Sequence, residues 1–73
     1  MTNTTSKILQ RIRKNVKTLR KKAKLTQVQL AFRADLSPDY IPKLEQGKNF
    51  PSIAALCKLA DVLKIDPHEF LKP

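Results

Sequence analysis

Ile8, Ile12, Val16, Leu19 and Ala23 follow one another at intervals of four, four, three and four residues. That spacing places five apolar side chains on one stripe of an α-helix and scatters them over both faces of a strand. The chain offers the alternative no foothold, because no stretch alternates apolar and polar residues as a half-buried strand does. The pattern predicts a helix over about residues 6–22, with Thr5 or Ser6 as its cap. Further helical stretches follow. Thr26 caps a segment at 27–34 with Leu30, Ala31 and Ala34 on one side. Ser37 opens a segment that Gly47, the single glycine, closes. Ser52 caps a segment reaching Leu63, with Ile53, Leu56, Cys57, Ala60 and Leu63 as its apolar face. Asp66, Pro67 and Glu69 resemble a capping-box start for a short last helix at 67–71, pinned by Ile65, Phe70 and Leu71. The reading is an all-α domain of five helices. With 73 residues there is material for one core, spanning about 7–71.

Charge is unevenly placed. The net charge is +9; residues 1–34 hold ten lysines and arginines and no acid, whereas residues 35–73 hold five bases against six acids. Arg13, Lys17 and Lys21 stack at i,i+4 with no carboxylate among them. A solvated face usually mixes signs to gain such pairs, so the basic half points to an anionic partner. No run reaches the length of a membrane span. The polar N-terminus, MTNTTSK, has no apolar targeting core. One cysteine allows no internal disulfide, which suits a reducing cytoplasm.

Residues 27–46 satisfy the demands of a helix-turn-helix unit. With Gln27 as the first position, the fifth is the small Ala31, which lets two helices approach. The ninth is Asp35, in a turn that prefers a left-handed backbone. Leu30, Ala34, Leu36, Ile41 and Leu44 supply apolar residues where the helices face each other and the core. Two prolines complicate the second helix. Pro38 is harmless at a first helical position, but Pro42 deletes a helix bond if Ser37 is the cap and none if Asp39 is. The segment therefore starts late or starts at Ser37 and kinks, and a distorted first turn with regular helix from about Tyr40 is expected. On that reading, replacing Pro42 with alanine restores a helix bond and raises stability.

The stretches LRKKAKLTQVQLA, LSPDYIPKLEQGK and PSIAALCKLADVLKIDPHEFL resemble the lambda repressor and Cro-type helix-turn-helix domains over residues 12–71. The resemblance implies a compact five-helix domain that binds duplex DNA, usually as a symmetric homodimer, and regulates transcription. It implies that Pro38, Asp39 and Lys43 face base edges in the major groove. Thr26, Gln27, Ser37, Gln46, Lys48 and Arg20 would meet the DNA backbone, and Arg20 and Glu45 would form an ion pair joining the first helix to the third. Asp35 and Lys64 depart from the pattern, standing where glycines are usual.

Cys57 is expected to be a packed core thiol, His68 stands without a ligand cluster, and no nucleophile–base constellation or phosphate-cradling glycine loop suggests an enzyme or a cofactor. A membrane-surface or calmodulin-target-like helix fits residues 6–22 alone, but the rest of the chain needs that helix to close its core. An antitoxin-type interaction module with a DNA-binding role is the alternative. Phe70 and Leu71 are the expected dimer surface.

Overall fold

The computed structural model describes residues 3–73, so Met1 and Thr2 of the polar N-terminal stretch lie outside it. Four α-helices run in the order α1 (Asn3–Lys22), α2 (Gln27–Arg33), α3 (Tyr40–Glu45) and α4 (Ile53–Leu63), and a 3-10 helix (Pro67–Leu71) follows. The fold is all-helical as expected. The fifth helix is of the tighter 3-10 kind, as its Glu69 N–H to Asp66 carbonyl bond of 3.0 Å shows.

α1 begins at Asn3, three residues earlier than predicted, so Thr5 and Ser6 lie within it instead of capping it. Extending a helix that already exists costs little, and nothing in Asn3–Ser6 breaks one. The buried stripe of α1 is Leu9, Ile12, Val16 and Arg20, flanked by half-buried Ile8 and Leu19; Ala23 falls beyond the helix and is exposed. Ile12 and Val16 of this stripe share one apolar core with Leu30 and Ala31 of α2, Ile41 and Leu44 of α3, Leu56, Leu59 and Ala60 of α4, and Phe70. Phe70 is fully enclosed. It belongs to the domain's own core, which removes it from the expected dimer surface; Leu71 remains exposed. Asn15 locks this end down, donating through Nδ2 to the carbonyls of Phe70 (2.9 Å) and Lys72 (2.7 Å).

α4 is turned away from its expected phase. Ala55, Leu56, Leu59 and Ala60 are its buried residues, while Ile53 is 76% exposed and Cys57 is an exposed thiol instead of a core one. Three of the predicted caps form, at Thr26, Ser52 and Asp66, whereas Ser37 does not cap α3, whose N-cap is Asp39 with no side-chain bond to the helix. Thr26 and Gln29 make a reciprocal capping box, with Gln29 N–H to Thr26 Oγ1 at 3.0 Å and Thr26 N–H to Gln29 Oε1 at 2.9 Å. Ser52 Oγ accepts from Ala55 N–H at 3.0 Å. Asp66 Oδ1 accepts from His68 N–H at 3.0 Å. Glu69 does not reach back to complete a capping box there; it pairs with Lys72.

All four α-helices end the same way. A residue with positive φ follows each helix: Lys24 (60°), Asp35 (56°), Gly47 (77°) and Lys64 (57°). Each donates to the carbonyl three residues back, and the next residue donates to the carbonyl five back, as in Lys48 N–H to Lys43 O at 2.8 Å and Leu25 N–H to Arg20 O at 3.1 Å. This Schellman arrangement satisfies orphan carbonyls and, at Leu25, Leu36 and Ile65, returns an apolar side chain to the core. Only Gly47 meets the left-handed backbone without strain. A side chain there costs about 1–2 kcal/mol, from which glycine's own folding entropy of roughly 0.5–1 must be subtracted. Lys64→Gly is therefore expected to stabilise the domain by roughly 0.5–1 kcal/mol. A thermal melt should register this as a rise of about 3–6 °C.

Candidate nucleic-acid interface

α2 and α3 are the two helices of the unit read from the sequence, joined by residues 34–39. The connection is six residues long because α3 starts at Tyr40 and not at Ser37. Ser37–Tyr40 forms a turn closed by Tyr40 N–H to Ser37 O at 3.0 Å, with Asp39 at φ −91°, ψ 0°. Those angles are those of the third residue of a type I turn, whose second position suits Pro38. The first turn of α3 is thus irregular and regular helix begins at Tyr40, as anticipated. Pro42 is the third helical residue, where an N–H has no intrahelical partner, so its ring deletes no bond. Pro42→Ala therefore restores no helix bond and brings no gain in stability from one. The substitution should lower stability by about 0.4–1 kcal/mol through the freer unfolded chain, measurable by urea titration.

The side chains assigned to base edges are close together and outward. Pro38, Asp39 and Lys43 are all exposed. Asp39 and Lys43 are engaged with each other, Oδ2 to Nζ at 2.8 Å, and Ser37 donates its hydroxyl proton to Asp39 Oδ1 at 2.9 Å. The hydrogen bond from Lys43 and then that from Ser37 hold the Asp39 carboxyl below its usual value. A depressed carboxylate keeps its partner above the ordinary range and loses it only as pH falls through the depressed value. Lys43 therefore has a charged partner at neutral pH, in an exposed pair that water screens, and Ser37 has no hydroxyl proton left for a phosphate while it makes this bond. Thr26 accepts from Gln29 and keeps its hydroxyl proton free. Gln46 and Lys48 follow α3 in exposed positions, with no side-chain bond among the described residues.

Arg20 and Glu45 meet in a two-pronged ion pair. Arg20 Nε donates to Glu45 Oε2 at 2.8 Å and Nη2 to Oε1 at 3.1 Å; their side chains are 10% and 6% exposed. Nη1 donates to the Leu25 carbonyl at 2.9 Å. Gln27, expected to grip a phosphate, donates Nε2–H to Glu45 Oε1 at 3.0 Å, which leaves one of its two amide protons for another acceptor. Arg20 is enclosed in this network, so its observed engagement is structural and a phosphate contact from it would need the pair to open. One contact escaped the sequence reading. Arg13 Nε donates to the Glu45 carbonyl at 3.2 Å, and a Cβ at Gly47 would lie 3.0 Å from Arg13 Cζ. The signal was the lone glycine, whose missing side chain was read only as a helix stop.

Among the described residues no helix is long and apolar enough to cross a membrane, and no group of three or more His, Cys, Asp or Glu could hold a metal ion. His68 sits with Nδ1 2.7 Å from Asp66 Oδ1.

Two helices at residues 27–45, a left-handed turn residue between them and a buried ion pair bracing the second define a helix-turn-helix module. The chain belongs to the helix-turn-helix family, whose pattern matches residues 16–70. It is similar to the immunity repressor protein of Bacillus phage phi105, 44% identical over 50 residues that make up 68% of this chain and 35% of that protein. The chain thus spans about a third of that repressor's length. The crystal structure of the restriction-modification controller protein C.AhdI from Aeromonas hydrophila superposes with a TM-score of 0.81 at 32% identity, covering 85% of this chain and 94% of that one. A helix-turn-helix transcriptional regulator from Vibrio cholerae gives 0.80 at 28% identity, covering 86% of this chain and 35% of that one.

The ion pair generates a sharp expectation. Removing one partner of a buried pair leaves the other charge uncompensated, at a cost of about 3–5 kcal/mol. Glu45→Ala should lower unfolding free energy by that amount. The double change Arg20→Met with Glu45→Leu should cost clearly less, and denaturant unfolding of both variants separates the two.

Proposed function

We propose that this protein is a sequence-specific, duplex-DNA-binding regulator of transcription that inserts α3 into the major groove and assembles as a symmetric homodimer on two half-sites. The observation that carries the reading is the outward cluster of Pro38, Asp39 and Lys43 at the start of α3, a helix that the Arg20–Glu45 pair ties to α1. Chemistry assigns the roles. Lys43 donates to guanine O6 or N7, Asp39 accepts from a cytosine amino group, and Pro38 makes apolar contact, for instance with a thymine methyl. Thr26, the free amide proton of Gln27, Gln46 and Lys48 supply backbone contacts, which position without reading sequence.

Pro38 and Asp39 in the turn before α3 and Lys43 within its six residues can read few base pairs, and a genome offers millions of competing sites. Two copies related by a two-fold axis double the readout, with half-sites about one helical turn apart. Sparse direct contacts also leave a share of the discrimination to DNA shape. The similarity to a phage immunity repressor and to a restriction-modification controller favours this reading over an antitoxin-type interaction module. A cytoplasmic location follows from the role.

Selection of sites from random duplexes, repeated for two variants, tests the scheme. Lys43→Ala should lose about 1–3 kcal/mol at one base position of each half-site and relax the preference there. Gln27→Ala should weaken all sites alike and leave the preferred sequence intact. Sedimentation of the complex should give two chains per site. A single chain bound to one half-site would refute the dimer, and a base preference altered by Gln27→Ala would refute the placement of α2.

A further inference from the structure

We infer that the basic groove beside the C-terminal end of α3 is a phosphate-binding site, holding one further phosphate of the same duplex through side chains of α1. The inference rests on the duplex-DNA reading and extends it beyond the α2–α3 unit.

The groove encloses about 330 Å³ and is lined by Gln10, Arg13, Lys14, Lys17, Thr18 and Glu45. The α1 members recur at three- and four-residue spacing, so they share one face of the helix. Its only acidic wall is spent. The Glu45 carboxylate is bonded to Arg20 and Gln27 and its carbonyl to Arg13, so no negative group opposes an incoming anion. Arg13 is anchored on one side by that carbonyl and by contact with Gly47, which leaves its outer nitrogens for a second acceptor. Lys14 and Lys17 are exposed and form no ion pair. They stand three residues apart and repel in the free protein, a cost that an anion between them removes. Thr18 adds a neutral hydroxyl donor, and Gln10 an amide.

The occupant follows from position and exposure. Lys14 and Lys17 face water, whose high dielectric cuts a contact between unit charges at 4 Å to about 1 kcal/mol, so a free phosphate ion gains little here. A phosphate delivered by a duplex already held on α3 arrives at high effective concentration. Gly47, in contact with Arg13, lies between Gln46 and Lys48, the proposed backbone contacts, so the groove continues their track. Two lysines with an anchored arginine give a charge-assisted clamp of the kind phosphates favour.

The test compares the full chain with its Lys14→Ala/Lys17→Ala variant on the selected duplex across a salt series, and on duplexes carrying a neutral methylphosphonate at successive positions. Both lysines are exposed, so the variant should melt at or above the wild-type temperature; Lys14→Gln/Lys17→Gln serves if it does not. The variant's plot of log affinity against log salt should be shallower by about 0.9 for each groove occupied, with the selected sequence unchanged. One neutralised phosphate per half-site should weaken the wild type and leave the variant unaffected. An unchanged slope, with losses that add at every phosphate, would overturn the inference. So would saturable binding of inorganic phosphate at Lys14 and Lys17, seen by NMR, alongside an unchanged duplex slope, since the groove would then serve a free anion. A wild type that binds no duplex even at low salt would instead overturn the DNA reading itself.

Discussion

The Arg20–Glu45 pair is the point at which the separate helices become one instrument. Arg20 comes from the last turn of α1 and Glu45 from the last residue of α3, while Gln27 opens α2 and Leu25 closes the α1–α2 connection. Four backbone segments thus converge on two nearly buried side chains. The attraction between the charges is largely offset by the loss of their hydration, so net stability is a poor measure of the pair's use. Its value is geometric. A planar guanidinium bonded through two nitrogens to both carboxylate oxygens fixes distance and angle together, which a lysine's single ammonium would not. A six-residue α3 has too little surface to set its own tilt by packing alone. Ile41 and Leu44 bury it, and the ion pair selects one orientation among those that would bury them.

The helix ends complete this arrangement. Each α-helix stops at a left-handed residue and turns sharply, so short connections suffice and four helices close around one core. Three of those four residues are Lys or Asp, each strained by roughly a kilocalorie or more. The apolar residue after the turn recovers part of that cost at Leu25, Leu36 and Ile65 by packing inward. At Gly47 the following residue is Lys48, which points outward, and the space a side chain would have filled is taken by Arg13. The one glycine therefore sits where two constraints, positive φ and close approach, meet.

Much of this was legible in the sequence because the signals were local or periodic. Thr26, Ser52 and Asp66 cap the helices they were expected to cap, and the irregular start of α3 followed from counting where Pro42 falls. The errors arose where local rules underdetermine the answer. Ile53, Ala54, Ala55, Leu56 and Cys57 form an apolar run that admits several helical phases; the expected and the observed faces share Leu56 and Ala60, and only packing against the other helices chose Ala55 and Leu59 over Ile53 and Cys57. Phe70 was expected both to pin the last helix to the core and to form a dimer surface, for which the chain offered nothing else; Asn15, a polar residue with no role in any pattern, ties the end to α1, and the ring is in the core. Lys24 in the left-handed region carried no signal at all. The base-reading and backbone roles came from family resemblance, since spacing alone says which residues share a face and not what that face meets.

Charge divides the labour between the helices. Arg20, Lys43 and Lys72 are the three of fifteen basic residues that form ion pairs, and the other twelve form none among the described residues. α1 carries most of the unpaired charge, whereas the outward face of α3 is nearly self-neutral because Asp39 and Lys43 hold each other. In the proposed complex Lys43 gives up a carboxylate partner for the neutral acceptors of guanine. That exchange gains little energy, and at any other base it is a loss. A recognition helix of this kind is a poor source of affinity and a good source of discrimination, because its ground state already satisfies the charges it would use. The attraction that brings a duplex close enough for the exchange must then come from elsewhere on the surface. The bare basic face of α1, adjoining the end of α3 through Arg13 and Gly47, is the part of this chain placed to supply it.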